Sequence, residues 1–218
     1  VSVALLERAV SYTLGSLVLA EPAAMGNRTP CAQWDLRALL AHMDDSLLAL
    51  AEAADLGHID LPGGDDLPGD GVLGDGRLDD GLLGGGLRGD GRLGGVGSRL
   101  GGSGGDPVAR LRWRACRLIG AWSQSARCPM PVGVGEAWLA REVVAGVGAL
   151  EVAVHGWDVA RACGGDRPLP DRLARELLEL AVVFVADDDR PHRFHPPVRP
   201  ASPATSSDRL LGFLGRSP

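Results

Sequence analysis

The sequence predicts an all-α fold: an antiparallel four-helix bundle with an extra C-terminal helix and tail. Three observations carry this. Apolar residues recur at three- and four-residue spacing over long stretches, alternating strand patterns are nearly absent, and Pro, Gly and Asp punctuate the chain where those stretches start and stop. With 218 residues there is chain enough for one well-cored domain plus an appendage.

The first predicted helix, residues 3–19, places Leu5, Leu6, Val10, Leu14 and Leu17 on one stripe. A Pro/Gly-bearing linker follows, and Thr29-Pro30 announces the next start. The second, residues 34–54, buries Leu36, Leu40, Met43, Leu47 and Leu50, with Asp35 at its positive end. Helical pattern resumes at Pro107, a residue suited to a first turn, and runs through Val108, Leu111, Ala115, Leu118 and Trp122. Residues 129–135 are expected to form a loop. A long fourth helix is expected over 136–162, stopped by Gly164-Gly165, and a fifth over 171–186. Residues 192–203 are proline-rich and expected to be extended, and 208–214 to make a closing turn or two. The implied organisation is a helical domain over 1–186, interrupted by residues 63–106, and a Pro-rich extension over 187–218 with a short closing helix.

Residues 63–106 differ from the rest. They hold 19 of the 32 glycines, in loose repeats such as Gly69-Asp-Gly-Val-Leu73 and Gly74-Asp-Gly-Arg-Leu78. So much glycine loses too much backbone entropy on ordering to fold cheaply. The nine-residue period of a calcium-binding β-roll is absent, so the segment reads as a low-complexity loop.

Composition excludes several classes. A net charge of −6 and a pI near 5.3 leave no basic face to neutralise phosphates, which argues against nucleic acid as a partner. All basic residues are arginine. Cys31, Cys116, Cys128 and Cys163 are widely spread without a C-x-x-C pair, which argues against a disulfide framework or a zinc ribbon. The N-terminus lacks a signal-peptide pattern, and no apolar stretch is expected to span a bilayer. The expectation is a reduced, cytoplasmic, soluble protein.

The chemistry-bearing feature is Glu151-Val-Ala-Val-His155-Gly-Trp157-Asp158. On a helix Glu151 and His155 leave the same face one turn apart. That face also carries Val144, Val147, Gly148 and Val154, and a glutamate there is costly unless paired or bound to a metal. With His42 from the second helix the pair makes a two-histidine, one-carboxylate set. Such a set holds a divalent ion and leaves a position open. Asp158, one turn on, is placed to accept the second ring N–H of a ligand histidine. The plainer reading pairs Glu151 with Arg37 or Arg141 and leaves His155 and His42 as core histidines. His58 borders the glycine-rich segment, and His192 and His195 lie in the proline-rich tail.

Thr29-Pro-Cys-Ala-Gln-Trp-Asp-Leu-Arg-Ala-Leu-Leu-Ala-His42 resembles the opening signature, close to T-P-C-x-x-W-x-V-x-x-L-x-x-H, of the DinB-like, mycothiol-dependent maleylpyruvate isomerase-type metal-binding proteins. Residues 147–162 resemble that family's E-x-x-x-H-G-W-D-x-A-R-A helix, and Asp208-Arg-Leu-Leu-Gly-Phe-Leu-Gly-Arg216 is similar to the tail of a short actinobacterial branch. The resemblance implies His42, Glu151 and His155 as ligands of zinc, mycothiol as co-substrate, and a small electrophile as its partner. Residues 55–106 fall outside it. The isomerase has an additional C-terminal domain that is not seen here, so thiol transfer is the expected activity rather than that isomerisation. Two rivals stand beside it: a non-haem iron oxygenase, which shares the ligand set, and a non-catalytic bundle that a metal stabilises or that binds a ligand.

Overall fold

The computed structural model describes residues 3–31, 34–59, 105–125, 130–190 and 194–218. These residues form a mostly helical protein with a small three-stranded sheet. The helices are α1 (Val3–Ser16), α2 (Leu36–Asp55), α3 (Pro107–Ser125), α4 (Arg141–Ala162), α5 (Asp171–Phe184) and α6 (Ser206–Phe213). The Gly/Asp-rich segment 63–106 lies outside the described residues, apart from Gly105 and Asp106 at its end.

α4 is the central element. It packs against α1, α2 and α5, while α3 closes against α1 and α2, and α6 lies on α5. The predicted stripes are the buried ones: Leu36, Leu40, Met43, Leu47 and Leu50 of α2, and Val108, Leu111, Ala115, Leu118 and Trp122 of α3. Leu210, Leu211 and Leu214 extend the same core from the C-terminal segment. Asp35 is the N-cap of α2 rather than a first-turn residue, its carboxylate accepting from the Ala38 N–H at 2.8 Å. Thr205 and Asp208 form a reciprocal capping box that starts α6.

Four further sequence expectations need correction. α1 ends at Ser16, and Leu17–Leu19 tighten into a 3-10 turn. α5 ends at Phe184, before Val185 turns extended. The expected loop at 129–135 begins outside the described residues, and its later part with the expected start of the fourth helix is instead a hairpin, β2 (Val132–Val134) and β3 (Ala137–Leu139), so that α4 begins only at Arg141. The two-residue link works because Gly135 adopts φ of 53°, a left-handed value that side chains disfavour. β1 (His58–Ile59) adds in parallel to β2. Lastly, α4 is by length and composition apolar enough to cross a bilayer, with a mean hydropathy of 1.3, contrary to the expectation that no such stretch exists. Within that span 94% is buried inside the protein, so its apolarity is that of a core helix.

Helix α1 approaches α4 closely at Gly156, beside the candidate site. A Cβ there would lie 3.1 Å from Thr13 Cα, and the Thr13 hydroxyl donates to the Val152 carbonyl at 2.7 Å. Gly156→Ala is therefore expected to push the helices apart and cost about 1–3 kcal/mol by overpacking, measured by urea unfolding. An unchanged midpoint would show that the α1–α4 contact yields without strain.

Candidate metal centre

The site is built where α2 and α4 cross, under the loop that leads into α2. That loop is tied down by side-chain bonds. Asn27 donates to the Ala162 carbonyl at 2.8 Å, and the Thr29 hydroxyl lies 2.9 Å from the Trp34 carbonyl. The loop so held carries Cys31 and Trp34 beside His155 of α4.

The predicted residues come together. His42 Nε2 lies 2.6 Å from Glu151 Oε1, and His155 Nε2 lies 3.3 Å from the same oxygen. One ligand atom from each of the three sits within 4.8 Å of the others. Glu151 is 5% exposed, and the Ser46 hydroxyl also donates to its Oε1 at 3.3 Å. The arginine alternatives are not its partners. Arg141 donates to the Ala54 carbonyl and stacks on Trp122, and Arg37 is exposed. Among the other histidines, His58 and His195 are exposed on β1 and in the tail, while His192 lies outside the described residues.

Asp158 stands behind His155, as its spacing predicts. It is fully buried, and its Oδ2 accepts from His155 Nδ1–H at 2.9 Å. That bond fixes Nδ1 as a donor and turns Nε2 towards Glu151 and His42. Sequence reasoning missed what lies beyond. Arg216, past α6, donates from Nε to Asp158 Oδ1 at 2.9 Å and from Nη2 to Oδ2 at 2.8 Å. Cys31 donates its thiol to Asp158 Oδ2 at 3.4 Å and lies 3.7 Å from Arg216 Nη2. The indole of Trp34 covers the flank of His42, with ring centroids 4.6 Å apart. Ser46, one turn after His42 on α2, was open to discovery by the same spacing argument that paired Glu151 with His155. Cys31, Trp34 and Arg216 all stand in the quoted motifs but carried no assigned role, and no spacing rule joins Arg216 to Asp158.

The electrostatics follow from these contacts. Burial alone would raise the Glu151 pKa, but the charge of His155 and hydrogen bonds from His155 and His42 hold it well below the carboxylate range. Burial opposes protonation of His155, yet the Glu151 carboxylate and the bond to Asp158 push it well above the ordinary imidazole value. Asp158 is likewise held low against its burial by the Arg216 guanidinium and then by His155.

The donor set fits a divalent ion. Two imidazole nitrogens and a carboxylate oxygen are zinc ligands, and neighbouring ligands on a tetrahedral zinc stand about 3.3 Å apart given bonds of ~2.0–2.1 Å. The His155–Glu151 separation is already 3.3 Å. The shorter His42–Glu151 contact is a hydrogen bond that a shared cation would replace. A second set, Cys31, His155 and Asp158, also converges. There the Arg216 guanidinium already supplies the positive charge, which leaves the first set as the better cation site. An apolar cavity lined by Val10, Leu17, Met43, Leu111 and Val152 reaches Glu151 and His155 from the core side. No protein-family model, no curated protein and no solved structure matches the chain.

Proposed function

We propose that His42, Glu151 and His155 hold a divalent ion, zinc, and that the centre activates a low-molecular-weight thiol of the mycothiol type for addition to a small electrophile. The observation that supports this most is the buried Glu151 carboxylate faced by two imidazole Nε2 atoms. A bound ion would act as a Lewis acid that lowers the pKa of a thiol, so that the thiol would release its proton to solvent at neutral pH. The protein's own residues do the rest. Asp158 orients the His155 ring, Ser46 steadies the Glu151 oxygen, and Trp34 screens the flank of His42 from water. On this reading α1 to α4 are the antiparallel bundle of the DinB-like proteins, and both partners are small molecules. The motif resemblance supports thiol transfer over the oxygen chemistry open to the same ligand set.

Cobalt-substituted protein tests this. Added mycothiol is expected to produce a sulfur-to-metal charge-transfer band that strengthens with rising pH, because the thiolate is the better ligand. Glu151→Ala and His155→Ala should abolish the band. Metal-loaded protein that shows no such band with mycothiol or any other small thiol would overturn the thiol reading and leave a metal-stabilised protein.

A further inference from the structure

Arg216 reaches the centre from a backbone that is itself pinned. Gly215 before it has φ of 79°, and a Cβ there would lie 2.8 Å from the carbonyl carbon of His195. Only glycine suits both conditions. The Arg216 N–H donates to the Leu211 carbonyl at 2.9 Å, closing the end of α6, and Arg190 donates to the Phe213 carbonyl at 2.7 Å. Leu214 is buried in the core beside this turn. The side chain then runs inward, 12% exposed, and its fork meets both oxygens of Asp158.

We infer that Arg216 is a positioning residue for the metal centre, acting through Asp158 on His155 and so making metal affinity depend on the segment that follows α6. The inference rests on the metal reading above. A carboxylate held by one bond swivels, whereas two parallel N–H···O bonds fix its plane. With Oδ1 taken by Nε and Oδ2 shared among Nη2, the Cys31 thiol and His155 Nδ1, the plane of Asp158 decides where the imidazole points. A direct partner of a ligand histidine commonly alters metal affinity roughly 10- to 100-fold, and Arg216 holds such a partner, Asp158, in place. The competing account is that Arg216 only neutralises a buried charge, and a lysine would do that equally well.

The test is zinc affinity, by chelator competition, for the full-length parent, Arg216→Ala, Arg216→Lys, Asp158→Asn and the Asp158→Asn/Arg216→Ala pair. Far-UV circular dichroism should check that each variant folds. Arg216→Ala is expected to raise the zinc Kd roughly 10- to 100-fold. Arg216→Lys should recover little of that loss, because an ammonium has no fork. The double variant should bind no more weakly than Asp158→Asn alone, since both changes break one chain of contacts. It also removes the unpaired buried anion, so it serves if Arg216→Ala fails to fold. Parent-like affinity in Arg216→Ala, full recovery by lysine, or losses that multiply in the double variant would each overturn the inference. If the parent itself holds no zinc, the metal reading falls and imidazole NMR decides the relay. The hydrogen-bonded His155 Nδ1–H resonance should then move in Arg216→Lys while that of His42 stays put, and an unmoved His155 signal would overturn it.

Discussion

Glu151→Ala is expected to strip the protein of metal. Glu151 is the one anionic donor of the three and the one that touches both of the others, 2.6 Å from His42 and 3.3 Å from His155. Two neutral imidazoles alone neither balance a divalent charge nor define its position. The loss of affinity should therefore exceed the ~10- to 100-fold that removal of an outer partner brings. After desalting, metal per chain should fall from near one to a small fraction. Helix α4 should survive, because its burial comes from the apolar residues around Glu151: Val144, Ala145, Leu150, Val152 and Val154 are all buried. His42→Ala and His155→Ala are expected to do the same. Elemental analysis together with far-UV circular dichroism reads both halves of the expectation. A folded triple variant carrying as much metal as the parent would show that the ion, if any, sits elsewhere.

Much of the helical architecture was legible because half-buried helices write their burial into the sequence. Every apolar residue of the predicted α2 stripe is buried, and Pro107 marks the start of α3 to the residue. The i, i+4 rule brought Glu151 and His155 together for the same reason, since a fixed helical period converts spacing into direction. Helix α4 shows the limit of that method. It is buried on nearly every side, so its sequence has no polar face to set a period and its start was misplaced onto the hairpin. β2 and β3 are three residues each, too short for alternation to register, and what holds them is the turn at Gly135, their pairing with each other and the pairing of β2 with β1.

At the centre itself, the parts legible in sequence are those that lie on helices. His42, Glu151, His155 and Asp158 follow from two helical faces. Arg216 does not, because its link to Asp158 spans 58 residues and depends on how α6 docks on α5. That docking rests on polar details, such as Ser207 accepting from the Leu169 N–H at 3.1 Å and Ser206 donating to Asp171 at 2.6 Å. Such bonds have no periodic signature. Arg141 failed as a partner of Glu151 for a related reason: ten residues earlier on α4, it faces Trp122 and the end of α2 instead.

The second large effect is a stability profile that changes shape with metal. In the metal-free protein Glu151 titrates below its ordinary value of 4.5 and His155 above its ordinary 6.5. A lowered carboxylate contributes stability that is complete above 4.5 and lost as pH falls through the depressed value. A raised imidazole contributes stability that is complete below 6.5 and lost as pH rises through the elevated one. Together they give the metal-free protein its greatest contribution from this cluster between about pH 4.5 and 6.5, with a decline on either side. Zinc competes with the proton for His155 Nε2, so it binds poorly where the imidazole is charged. The melting temperature gained on adding zinc should then grow steadily from about pH 5 to pH 8, filling in the alkaline decline. Melting curves across that range, with zinc and with chelator, provide the measurement. A zinc-induced gain that stays level with pH would mean that no imidazole gives up a proton to the ion, and His155 could not then be its ligand.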